Sequence, residues 1–181
     1  MSDKSPKIWI ITGPFQVGKT HFCHALINQA QAKGIKLAGV ICPPVFEQQT
    51  KTAITIEDLK SGKRKTLATK RTTETEGLLT QHWVFNEKAL IWGNHILGET
   101  GGCDLLLIDE LGPLEFNRGQ GWLNGLQAID HGDYKIAVVV IRPVLVETAL
   151  QRWPSAKVFD LQTRLKPEET RALVEKILLS I

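Results

Sequence analysis

The chain has 181 residues, 43% hydrophobic and 23% charged, with a formal net charge of +3. That size supports one domain, 1–181, with its own core, and the mild basicity suits anionic ligands without arguing for nucleic acid. Three widely spaced cysteines with no C-x-x-C pair exclude a zinc ribbon or disulfide framework, and no apolar run is long enough for a membrane span or a signal-peptide core, so a cytoplasmic protein without membrane association is expected.

After a loose tail over residues 1–6, the β-branched and aromatic run Lys7–Thr12 predicts a strand. Gly13-Pro14-Phe15-Gln16-Val17-Gly18-Lys19-Thr20 follows, with the form G-x-x-x-x-G-K-T. This is the P-loop pattern, a turn whose backbone N–H groups wrap a phosphate chain. Gly13 and Gly18 allow backbone angles and a close approach that a Cβ would obstruct. Lys19 offers an ammonium to the β and γ phosphates and is a candidate catalytic residue; Thr20 offers a hydroxyl to Mg²⁺. The candidate nucleotide-binding set runs from Gly13 through Thr20 to His21. Phe22, Leu26 and Ala30 then recur at helical spacing, and Lys33-Gly34 stops the helix. His21 and His24 are spaced for a metal, but no third ligand is evident. Lys36–Cys42 reads as a second strand closed by Pro43-Pro44, which gives a parallel pair with a right-handed crossover.

The pattern then changes. Thr52–Leu59 alternates, Lys60–Lys63 is a turn, and Arg64–Thr69 can return, so a β-hairpin is expected over about 50–71. Six basic and no acidic residues lie between Lys60 and Arg71. They read as a solvated hairpin tip, or as charges facing a nucleotide or a second anionic substrate. With no aromatics interleaved, a nucleic-acid partner is not expected. Trp83–Phe85 reads as a short strand or lead-in, and Asn86 caps a helix to about Leu97 with Ala89, Trp92 and Ile96 on one stripe.

Leu105-Leu106-Leu107-Ile108 reads as a strand buried on both faces, ending in Asp109-Glu110. Behind a P-loop it looks like a Walker B strand. Asp109 would hold Mg²⁺, and Glu110 would orient or deprotonate the attacking water. Residues 111–116 read as a loop in which Glu115 is either a partner of the site or a structural hydrogen-bonder. A helix from Trp122 stops at Gly132. Ile136–Ile141 is another buried strand, ending at Arg142, a candidate catalytic cation that either senses γ-phosphate or pairs with a surface acid. A helix over Val144–Arg152, a strand over Val158–Leu161 and a helix opening at Pro167 complete the chain.

Together these stretches resemble the small P-loop nucleoside-triphosphatase family first known from thermophiles. The resemblance is carried by Gly13–Thr20, Ala38-Gly39-Val40-Ile41, Ile56–Gly62 with Leu67-Ala68, Ile108-Asp109-Glu110-Leu111-Gly112-Pro113-Leu114-Glu115, and Val140-Ile141-Arg142. It implies an α/β three-layer P-loop NTPase sandwich, with a mostly parallel central sheet of RecA-like strand order and an inserted hairpin. It also implies Mg²⁺-dependent hydrolysis of ATP, GTP and other NTPs to NDP and phosphate. The same cradle would serve a nucleotide or small-molecule kinase, or a slow NTP-dependent regulator acting on a protein partner of unknown identity. Phe15 and Gln16 are bulkier than is usual in the loop, and the hairpin lacks the family's glycine- and aromatic-rich form.

Overall fold

The computed structural model describes residues 7–71, 78–79 and 83–181, so the expected tail at 1–6 lies outside the described residues. β1 (Lys7–Thr12) leads through the glycine-rich loop into α1 (Lys19–Ala32) and β2 (Leu37–Ile41). β3 (Pro44–Glu47), β4 (Thr50–Asp58), β5 (Arg64–Lys70), β6 (Leu78–Leu79) and β7 (Trp83–Phe85) follow. Then come α2 (Glu87–Gly98), β8 (Cys103–Leu111), α3 (Pro113–Arg118), α4 (Leu123–His131) and β9 (Tyr134–Ile141). α5 (Val146–Arg152), β10 (Lys157–Asp160) and α6 (Pro167–Leu178) end the chain.

One sheet runs in the order β10-β1-β9-β8-β2-β4-β5-β7-β6, with β3 paired to β4. Its first five strands are parallel, and β9 lies between β1 and β8, which is the RecA-like arrangement. β1, β9, β8 and β2 are apolar on both faces because both faces are covered, whereas the edge strand β10 is largely exposed. Ile8, Ile10, Leu106, Ile108, Ala137 and Val139 pack under α2, α4 and α5. Their neighbours Trp9, Ile11, Leu105, Leu107, Ile136 and Val138 pack under α1 and α6. The period-two alternation of strand side chains thus divides one apolar run between two cores and gives three layers. Among the described residues no helix is long and apolar enough to cross a membrane.

Several local expectations change. The hairpin exists, with Asp58 N donating to Lys63 O (2.9 Å) across the turn. It is not a detached tip, however. β4 pairs with β2 and continues the main sheet, and β3 adds a further antiparallel strand. Pro44 sits at the start of β3, where an edge strand tolerates the missing N–H. The expected loop at 111–116 instead leads into α3: Pro113 occupies the first turn, and Glu115 Oε2 accepts from Gly112 N at 2.8 Å. The buried side of α2 is Ala89, Leu90, Gly93 and Leu97, with Trp92 and Ile96 flanking it. Gly93 allows this close seating, since a Cβ there would lie 2.6 Å from Ile56 Cδ1 and from Trp122 Nε1.

Candidate functional site

The loop after β1 turns over the carboxyl edge of the parallel strands. Gly13 has φ +143°, and a Cβ there would lie 2.4 Å from Leu161 O, so the loop floor rests on the segment after β10. Gly18, at φ +107°, opens α1 without a side-chain cap. The first amides of α1 therefore depend on water or a ligand, the condition that makes a helix start an anion site. Lys19 Nζ donates to Gly13 O (2.8 Å) and Pro14 O (2.7 Å), which holds the ammonium across the loop. Burial lowers its pKa, while the charges of Glu110 and Asp109 oppose that shift. Phe15 stands out at the apex, 77% exposed. Gln16 beside it takes φ +60° without being glycine.

β8 delivers the carboxylates to the same edge. Asp109 is buried, with the Thr20 side chain near enough to favour its ionised form, and it accepts from Cys42 N at 3.4 Å. Burial, reinforced by the neighbouring charge of Glu110, pushes its carboxyl up to about 7. Glu110 points to a different partner: Arg142 Nε, at the end of β9, donates to Glu110 Oε1. Of the two alternatives for Arg142 the structure shows pairing with an acid, and that acid is itself a candidate site residue. Cys23 is buried and Cys42 half-buried, and desolvation raises the pKa of both thiols, so they remain protonated.

Lys19, Thr20, Asp109, Glu110 and Arg142 thus converge from β1, α1, β8 and β9. Among the described residues no group of three or more His, Cys, Asp or Glu could hold a metal. The Thr20 hydroxyl and the buried Asp109 carboxyl nevertheless form an oxygen-only pair, with Glu110 adding negative charge, and that donor chemistry fits Mg²⁺. His21 is exposed and lines a cleft of about 400 Å³ with Arg164 and Leu165, between α1 and α6. Glu115 is structural, accepting from Gly112 N and from Trp122 N (2.9 Å). In the basic run, Arg64 pairs with Glu57 of β4 and Lys65 stands 4.7 Å from the ring centroid of Trp92 on α2.

Sequence reasoning missed Lys51. Its ammonium lies 6.0 Å from the Phe15 ring centroid and 4.8 Å from that of Trp83. Nothing local distinguishes it from other lysines. A signal was available only in the length of the alternating strand, which outruns the strand it pairs with.

A family model described as NTPase matches residues 8–178. The nucleoside-triphosphatase THEP1 of Ignicoccus hospitalis is 31% identical over 105 residues, which cover 58% of this chain and 58% of that protein. That of Saccharolobus solfataricus is also 31% identical over 105 residues, covering 58% and 59%. The chain therefore spans less than two thirds of the length of these relatives. In structure it is similar to a human cancer-related nucleoside triphosphatase, with a TM-score of 0.68, 18% identity and 96% of each chain covered. It is also similar to THEP1 from the hyperthermophile Aquifex aeolicus, with a TM-score of 0.63, 21% identity and 95% and 97% covered. At those identities the likeness is one of fold.

Proposed function

The chain belongs to the NTPase family, and from that premise we propose that it hydrolyses nucleoside triphosphates, ATP and GTP among them, to the diphosphate and phosphate with Mg²⁺ bound. The observation that carries this is the meeting, at one sheet edge, of the Lys19 loop, the Thr20–Asp109 pair and the Glu110–Arg142 pair. The antiparallel strands are read as part of the same domain.

In this reading the loop Gly13–Thr20 wraps the phosphate chain with the N–H groups it has outside Pro14, and His21 follows in the first turn of α1. Lys19 leaves its two carbonyl contacts for the β and γ phosphates. Thr20 and Asp109 would hold the cation, which supplies charge neutralisation on the phosphate oxygens. Glu110 orients a water and takes its proton. The water oxygen bonds to the γ-phosphorus as the bond from that phosphorus to the bridging oxygen breaks, and NDP leaves with the bond's electrons. Arg142, which holds Glu110 in the ligand-free site, steadies the carboxylate and contributes positive charge near the transferred group.

Phosphate release from a panel of NTPs with Mg²⁺ tests the reading. Glu110→Gln should lower turnover by about 10²- to 10⁴-fold, the usual share of a general base. A wild-type chain that releases no phosphate would overturn hydrolysis, and undiminished turnover in Glu110→Gln would remove Glu110 from its role.

A further inference from the structure

β4 is paired to β2 only at its far end, where Asp58 lies opposite Val40 and Glu57 opposite Ile41. β2 stops at Ile41, so the earlier part of β4 runs on past the carboxyl edge of the parallel strands. That edge is where the phosphate loop and the Asp109 carboxyl sit. Lys51 is the second residue of this overhang, and its ammonium reaches back to Phe15, a member of the loop. The ammonium also lies over the Trp83 ring from β7.

Three features bear on this lysine. It is half-buried. Among the described residues it forms no ion pair, a state it shares with the other described lysines except Lys135. Finally, burial lowers its pKa, while the charges of Glu110 and Asp109 oppose that shift. A partly dehydrated cation held by ring faces, without a carboxylate of its own, is suited to receive an anion.

We propose that Lys51 is a catalytic cation for the phosphoryl group being transferred, reaching the γ-phosphate of a bound nucleoside triphosphate from the antiparallel extension. The proposal rests on the triphosphatase reading and deepens it. Lys19 serves the chain of phosphates and is needed for any nucleotide. Lys51 serves the γ group alone, so it separates triphosphate from diphosphate and contributes most as charge builds on the departing phosphoryl oxygens. The two rings fix the long side chain in place, which reduces the ordering cost on binding.

The test compares wild type, Lys51→Gln and Lys51→Arg by phosphate release and by binding of Mg·NDP and of a non-hydrolysable imido NTP. Lys51→Gln should slow turnover by about 10²-fold, as loss of one charge-stabilising donor does. It should weaken the imido NTP by about tenfold and leave Mg·NDP unchanged. Lys51→Arg should restore most of both losses. Unchanged turnover in Lys51→Gln would overturn the proposal. So would equal weakening of diphosphate and triphosphate, which would mark Lys51 as a prop for the Phe15 loop. A wild-type chain without phosphate release would defeat the hydrolysis reading, and the two binding constants would still decide Lys51. Should Lys51→Gln melt below the assay temperature, Lys51→Met keeps the apolar stem on both rings and gives the same readouts.

Discussion

Leu107 on β8 and Ile54 on β4 are separated by a single intervening strand, yet they sit in different kinds of sheet. Leu107 is fully buried, as are Leu105, Leu106 and Ile108 beside it. Ile54 is half-buried, and on β4 the fully covered side chain is Ile56 alone. The inner parallel strands β1, β9, β8 and β2 shut water out on both faces and hold the loop, Asp109, Glu110 and Arg142 at one edge. The antiparallel half is wetter, and it overhangs that edge. Groups that must be preorganised before a ligand arrives come from the dry half, while the wetter half adds a cation that reaches over from outside.

The contrast can be broken most directly through stability. Leu107→Ala should cost about 2–5 kcal/mol through lost transfer energy and a cavity that the packed sheet cannot close. Ile54→Ala should cost roughly half of that or less, because solvent already reaches the site. Urea unfolding of the two variants measures the difference, and equal costs would mean that the two halves are packed alike.

The next test uses pH. In the folded chain the Asp109 carboxyl titrates at about 7, well above the ordinary carboxylate range. Between about pH 4 and pH 7 the folded state therefore holds a proton that the unfolded state has released, and stability falls as pH rises through that window. Asp109→Asn should flatten this slope and make the ligand-free chain more stable than wild type near pH 8. Melting curves at several pH values check it, and parallel slopes in the two proteins would place the titration elsewhere.

A smaller effect is expected where the two halves meet. Asn86 Oδ1 caps α2 through Ala89 N (3.2 Å), and Asn86 N donates to Leu67 O of β5 (2.8 Å). Asn86→Ala should cost about 1 kcal/mol, read as a lower unfolding midpoint with unchanged turnover.

The dry half was the legible half. A run such as Leu105–Ile108 can be read from its residues because burial on both faces removes the need for alternation. The loop was legible because glycine spacing and lysine chemistry are local facts. What escaped was set by contacts distant in sequence. β3 was hidden by Pro43-Pro44, which reads as a breaker until an edge position is known. α3 was hidden because Gly112-Pro113 reads as a turn, although Pro113 and Glu115 are helix-opening residues once Gly112 is the cap. The stripe on α2 was displaced by one position because Gly93, rather than a large side chain, sets how near Ile56 and Trp122 can come. Lys51 depended on the register of β4 against β2 and on rings from two other segments, none of which a local window contains.

Leu161 ties two distant parts of the molecule together. Its N–H donates to Thr12 O (2.9 Å), and its own carbonyl fills the space that a Cβ on Gly13 would need. Leu161 directly follows β10, a four-residue strand on the outer margin of the sheet. Marginal strands are the ones that fray. The phosphate loop is thus moored to the least secure part of the parallel half, and each transient detachment of that strand loosens the loop as well. A nucleotide that clamps the loop would act on the same mooring from the other end, so occupancy of the site is expected to stiffen this margin of the sheet.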